Sequence, residues 1–198
     1  AFNVTLNEDG ACRYTLDSGV NNVTLENNGI RDFKNIIFYR ISNVDGWIRD
    51  YGPTFVINNK TRQKAMVKWT FNAWGNKYED LKQDNNVPYE MNKLLRLPVF
   101  EANIILEGGS IEVNGSGTVL TTEQCLLNKN RNPNLTKEQV EQYLRDYLDV
   151  SNILWLKEGI VGDDTDGHID DIARFVNQNT VVCAFEEDEK DKNYGILK

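Results

Sequence analysis

The sequence predicts an α/β fold assembled from a repeated hairpin–helix–strand unit. Three observations lead there. Short β-rich runs come in pairs joined by turn residues. Helical patterns fall between the pairs. Acidic segments that lead into the hairpins, marked by Asp50, Glu107 and His168, recur about every sixty residues, the spacing of a repeated ββαβ-type module.

Taken in order, IIFYRI (Ile36–Ile41) reads as a strand. TFVIN (Thr54–Asn58) and AMVKWTF (Ala65–Phe71) flank NKTRQK and form a hairpin. A helix is expected from Pro88 to about Leu95, because proline suits a first helical turn. SIEV (Ser110–Val113) and TVLTT (Thr118–Thr122) flank NGSG, a strong hairpin signal. In NLTKEQVEQYLRDYLDV, Thr136 and Gln139 have capping-box spacing. Val140, Tyr143, Leu144, Tyr147 and Leu148 then make one apolar stripe. NILWL (Asn152–Leu156) follows as a strand. ARFV (Ala173–Val176) and TVVCAF (Thr180–Phe185) flank NQN as a further hairpin.

The chain has 198 residues, enough for one domain. At that size folding buries about 70% of the extended surface, so a real core can form. The net charge of −8 argues against a nucleic-acid or anionic-membrane surface and suits a cationic small substrate. No run is long and apolar enough to span a bilayer, and AFNVTLNEDG lacks the build of a signal peptide. Cys12, Cys125 and Cys183 have neither metal-site nor disulfide-framework spacing, so a reducing cytoplasm is the simplest setting. The sequence is compatible with a homo-oligomer. The first residue is not methionine, and the chain stops just after a strand and an acidic run. About three modules need not cover every sheet edge. The expectation is therefore a single domain over 1–198, truncated at both ends.

GDDTDGHIDDIARF (Gly162–Phe175) holds the only histidine. An EF-hand loop fails here, since the first and twelfth positions would be Gly162 and Ala173. A solvated turn and a one-histidine metal site stay open beside a catalytic reading. His168 and Asp170 lie at i and i+2, so an extended backbone puts both on one face. An imidazole beside a carboxylate suits a proton shuttle at a cation site. In WIRDYGPTFV, Asp50 ends a segment that Trp47 could wall; a strand edge with a buried tryptophan is the alternative. In LEGGSIEV, two glycines after Glu107 allow close backbone approach. No Walker lysine accompanies them, which argues against phosphate binding. FNAWG and CLLNKNRNP read as core and turn. No cysteine has an activating setting.

Together WIRDYGPTFV, FNAWGNKY, LEGGSIEV, TTEQCLLNKNRNP and GDDTDGHIDDIARF resemble the agmatine deiminase family, which includes the Porphyromonas-type peptidylarginine deiminases. The resemblance runs from about Asn43 to Phe175. It implies a pentein fold, a five-bladed pseudo-symmetric α/β propeller, here an incomplete portion of about three modules. It implies hydrolysis of a guanidinium to a urea and ammonia. No cofactor and no metal are expected. By the same resemblance, Asp50 and Asp170 clamp the guanidinium and His168 is the general acid/base. Glu107 is a further pocket carboxylate, and Trp47 and Asp164 are substrate-pocket residues. The substrate is a cationic small guanidine. Agmatine is favoured by the surplus acids of DDTDGH, with arginine or peptidylarginine as the alternative. The family's nucleophile is a cysteine in a Gly-rich motif near the carboxyl end, and no such motif occurs here. These 198 residues alone are therefore expected to be inactive. A non-catalytic guanidine-binding module is the reading from another class.

Overall fold

The computed structural model describes residues 39–198, together with the backbone of two strands, β1 (Asn3–Leu6) and β2 (Cys12–Thr15), which pair antiparallel. The expected strand Ile36–Ile41 lies partly outside the described residues, and Tyr39–Ile41 carry no strand.

Two complete ββαβ units follow. In the first, β3 (Thr54–Ile57) and β4 (Lys64–Thr70) form an antiparallel hairpin, and β5 (Val99–Ile105) lies parallel to β4. The crossover is a 3₁₀ segment, Glu79–Asn86, running into the helix Val87–Leu95 with Pro88 in its first turn. Proline is tolerated there because the first-turn N–H groups have no intrahelical partner. In the second unit, β6 (Ile111–Val113) and β7 (Thr118–Thr122) pair antiparallel, and β8 (Asn152–Leu156) lies parallel to β7. The helix Lys137–Leu148 makes that crossover. A further hairpin, β9 (Ala173–Asn177) with β10 (Thr180–Cys183), ends the series with a register shift at Thr180/Val181. The hairpins β3–β4, β6–β7 and β9–β10 begin at residues 54, 111 and 173, the near-sixty spacing expected from the sequence.

The Lys137–Leu148 helix forms where its pattern places it. Thr136 Oγ1 accepts from Gln139 N at 3.3 Å, and Gln139 Oε1 accepts from Thr136 N at 2.8 Å, which closes the capping box. Asp149 ends the helix in the left-handed region at φ 54°. Val140 and Leu144 are fully buried and Tyr143, Tyr147 and Leu148 pack beside them. They meet Val67, Ala102 and Ile104 of the first sheet and Val119 of the second in one continuous core. That core ties the two units together, so the loops at one end of the sheets hold fixed relative positions. Those loops build the site.

Candidate active site

Asp50 sits in a one-turn helix, Ile48–Tyr51, and is 8% exposed. Its Oδ1 accepts from Gly109 N at 2.8 Å and its Oδ2 from Trp74 Nε1 at 3.0 Å. Burial pushes its carboxyl up to about 7, even though both donors favour the anion.

Trp74 reaches Asp50 from an unusual turn. Ala73, Trp74, Gly75 and Asn76 all have positive φ, between 53° and 83°. Left-handed backbone costs a non-glycine residue roughly 1–2 kcal/mol, so the turn needs outside support. Asn72 supplies it, accepting from Gly75 N at 2.9 Å and donating to Asn130 O at 2.9 Å. Phe71 and Tyr78 both meet the Trp74 ring edge-on.

The segment after β5 carries Glu107 and the pair Gly108–Gly109. A Cβ on Gly109 would lie 2.4 Å from His168 Nδ1 and 2.7 Å from Asp50 Oδ1. Only glycine lets these two polar groups close on the same backbone. A Cβ on Gly108 would meet Arg49 O at 1.9 Å.

The loop that brings His168 is held at both ends. Asp163 Oδ2 accepts from Gly167 N at 2.6 Å and His168 N at 3.1 Å, and Oδ1 accepts from Thr165 N at 2.7 Å. Burial opposes these bonds, but they keep the Asp163 carboxyl below its usual range. Arg131, 2% exposed, spans the other side: Nε donates to Glu107 Oε1 at 2.7 Å, Nη1 to Asp166 Oδ2 at 2.7 Å, and Nη2 to Thr165 O at 2.8 Å. A buried guanidinium thus fastens the histidine loop to the strand end that bears Glu107.

His168 is 3% exposed. Nδ1 lies 3.8 Å from Asp50 Oδ1 and 3.9 Å from Asp170 Oδ1. Nε2 faces Glu107 Oε2 at 4.0 Å and has no hydrogen-bond partner. Burial pulls the imidazole down to about 4, so it is neutral at pH 7. Its contacts with Asp50 and Asp170 are therefore not ion pairs. Asp170 keeps Oδ2 on Arg49 Nε at 2.7 Å; burial raises its carboxyl and the arginine restrains that rise.

These groups border a broad cleft of about 1370 Å³. Asp50, His168 and Asp170 lie along it, as do Trp47, which is 53% exposed, and Asp164, whose Oδ2 accepts from Tyr78 Oη at 2.6 Å. The six residues singled out in the sequence thus fall in one region, with one difference. Glu107 is completely buried behind the imidazole and is not part of the cleft wall. Trp74 and Arg131 are site residues that the sequence reading placed in core and turn. An arginine amid the asparagines of NKNRNP and a tryptophan before glycine were the only traces, and neither has a periodicity to betray it.

One donor atom each of Glu107, Cys125 and His168 lies within 4.8 Å of the other two, the one donor set of metal-site spacing among the described residues. A cation there would have to displace a thiol proton that burial holds well above its ordinary range, next to the Arg131 guanidinium. Chemically, the arrangement offers two carboxylates and a neutral imidazole around one point at the cleft floor. That suits a planar cation and a proton acceptor, and no cysteine lines the cleft among the described residues.

A profile of the Porphyromonas-type peptidyl-arginine deiminase family matches residues 13–198, and the chain belongs to that family. Among its relatives, the agmatine deiminase of Pseudomonas syringae pv. tomato is 44% identical over 168 residues, 82% of this chain and 45% of the relative. The solved agmatine deiminase of Enterococcus faecalis is 43% identical with a TM-score of 0.76, over 83% of this chain and 46% of that one. An agmatine deiminase of C. jejuni, solved with substrate bound, is 41% identical with a TM-score of 0.75, over 82% and 49%. The chain thus spans just under half the length of these relatives.

Proposed function

We propose that the protein carrying this chain hydrolyses agmatine to N-carbamoylputrescine and ammonia. The observation that carries the reading is the convergence of Asp50 Oδ1 and Asp170 Oδ1 on His168 Nδ1, at 3.8 and 3.9 Å, on the floor of one cleft. A guanidinium stays charged at any ordinary pH, and resonance makes its carbon a poor electrophile. Two carboxylates hold its N–H groups by charge-assisted bonds worth roughly 1.5–3 kcal/mol each and fix the carbon for attack. Arrival of the cation also draws Asp50 into its charged form.

The nucleophile is a cysteine thiol supplied from outside these 198 residues. Its proton passes to the neutral imidazole of His168, and the thiolate adds to the guanidinium carbon. His168 returns that proton to the departing nitrogen, the C–N bond breaks and ammonia leaves. Water then adds to the thiouronium carbon while giving a proton to His168. The C–S bond breaks, the departing thiolate takes the proton held by His168, and the protonated ureido product loses its hydroxyl proton to ammonia or solvent, which restores the thiol and the neutral imidazole. A base with a pKa well below neutral is in the right form for the first step. Glu107, behind the ring, balances the imidazolium while it exists.

The two ββαβ units support a pentein arrangement in which each unit is one blade of a five-bladed ring. Trp47 and Asp164 line the route to the clamp, and the acids near it suit a substrate with a distal amine better than one with a carboxylate. The free thiols of Cys125 and Cys183 fit a reducing cytoplasm. Among the described residues no helix is long and apolar enough to cross a membrane.

The test is ammonia release by the protein that carries this chain, with agmatine, arginine and an arginyl peptide compared. Agmatine should be turned over best, and His168→Ala should abolish turnover. Sustained turnover by His168→Ala, or no turnover of any guanidine, would end the proposal.

A further inference from the structure

We infer that Arg49 is a positioning residue for the clamp: it holds one oxygen of the Asp170 carboxylate and turns the other toward the reacting cation. The inference rests on the reading of Asp50 and Asp170 as a guanidinium clamp.

Arg49 and Asp50 are neighbours on the same short helix and do different work. Asp50 turns inward, to Trp74 and Gly109. Arg49 turns along the cleft wall, its side chain 44% exposed. Its Nε takes Asp170 Oδ2 at 2.7 Å. With that oxygen occupied, Oδ1 is the one left facing His168. The arginine is itself fixed at its far end: Nη2 donates to Ile111 O at 3.2 Å and to Glu112 Oε2 at 3.3 Å. Glu112 is anchored in turn by Arg174 Nε at 2.9 Å and Phe175 N at 3.0 Å. Alternating charges Asp170, Arg49, Glu112 and Arg174 thus link the first helix, β6 and β9. Gly108 is required under it, because a side chain there would strike the Arg49 carbonyl.

The electrostatic need is plain. Asp170 is largely buried, with Asp50 and Asp171 nearby as further acids. Burial, Glu112 and these neighbours favour its protonated form, and the cations opposing them are Arg49 and Arg174. A protonated Asp170 would meet a guanidinium with one lone-pair oxygen fewer and no charge. An arginine at contact distance lowers a carboxyl pKa by about 1–3 units, nearer one where the pair is partly exposed.

The experiment is a ¹³C-carboxyl NMR titration of Asp170 in the protein and in Arg49→Gln, with the resonance assigned by Asp170→Asn, followed by agmatine binding over a pH range that brackets both measured midpoints. Arg49→Gln should raise the Asp170 midpoint by about one unit, a tenfold change in proton affinity. It should weaken agmatine by up to about tenfold below the measured Asp170 midpoint, with recovery as the pH rises through that midpoint, and with more protons released on binding. Arg49→Lys should recover most of the midpoint shift. An unmoved Asp170 midpoint in Arg49→Gln overturns the inference whether or not agmatine binds, as does an equal loss of affinity at every pH. If the midpoint moves but the unaltered protein binds no guanidine, it is the clamp reading that fails and not the pairing.

Discussion

Replacing Asp50 by asparagine should make the protein more stable at pH 8 than at pH 5, relative to the unaltered chain. Asp50 is 8% exposed and its carboxyl is pushed from 3.8 up to about 7. Between those values the unfolded chain has lost this proton and the folded chain still holds it. Folding stability therefore falls as pH rises through that window. At about 1.36 kcal/mol per pH unit, holding Asp50 ionised costs the fold about 4 kcal/mol by pH 8, of which about 3 kcal/mol accrues above pH 5. Asparagine removes that charge. It can still accept from Gly109 N or from Trp74 Nε1 but not from both, and the donor left over costs roughly 1–3 kcal/mol at every pH. His168, pulled down to about 4, titrates in both proteins, and its slope is common to them. Urea denaturation followed by tryptophan fluorescence from pH 5 to 8 reads the difference. The expected gap widens in favour of the variant by about 3 kcal/mol across the range. A gap that stays flat would mean that Asp50 is an ordinary carboxylate, and the account of the clamp charging on substrate arrival would fall with it.

Under the proposed function, Gly109→Ala in the protein that carries this chain should leave the far-UV circular dichroism unchanged yet lower agmatine turnover at least about a hundredfold, since its Cβ would force apart His168 and Asp50 and misplacement near 1 Å carries that penalty. Arg131→Met should cost about 3–5 kcal/mol in urea denaturation, because Glu107 then stays buried without its partner, and adding Glu107→Gln should recover part of the loss.

The periodic parts of this protein were legible in the chain. The Val140–Leu148 stripe, the Thr136 cap and the NGSG turn are local signals, each set by residues a few positions apart, and the structure has them where they were expected. The near-sixty spacing of the acidic motifs foretold the repeated unit because each unit solves the same packing problem. The 3₁₀ crossover at Glu79–Asn86 was not visible, having no apolar stripe. The end of β10 at Cys183 also fell short of the expected Phe185, which is 62% exposed and pairs with no strand.

The site divides along the same line. The five motifs and their resemblance to the agmatine deiminase family were enough to single out Asp50, Asp170, His168, Glu107, Trp47 and Asp164. Which of those acids meets the cleft was decided by the fold. Asp50 and Asp170 came to Nδ1 of His168, while Glu107 went behind the ring with Arg131. The support of Trp74 and Arg131 depended on contacts 24 residues apart in sequence, and a left-handed turn and a buried ion pair leave no local pattern. Proton affinity is the plainest case: an aspartate near 7 and a histidine near 4 are made by burial, which belongs to the folded chain and to no residue alone.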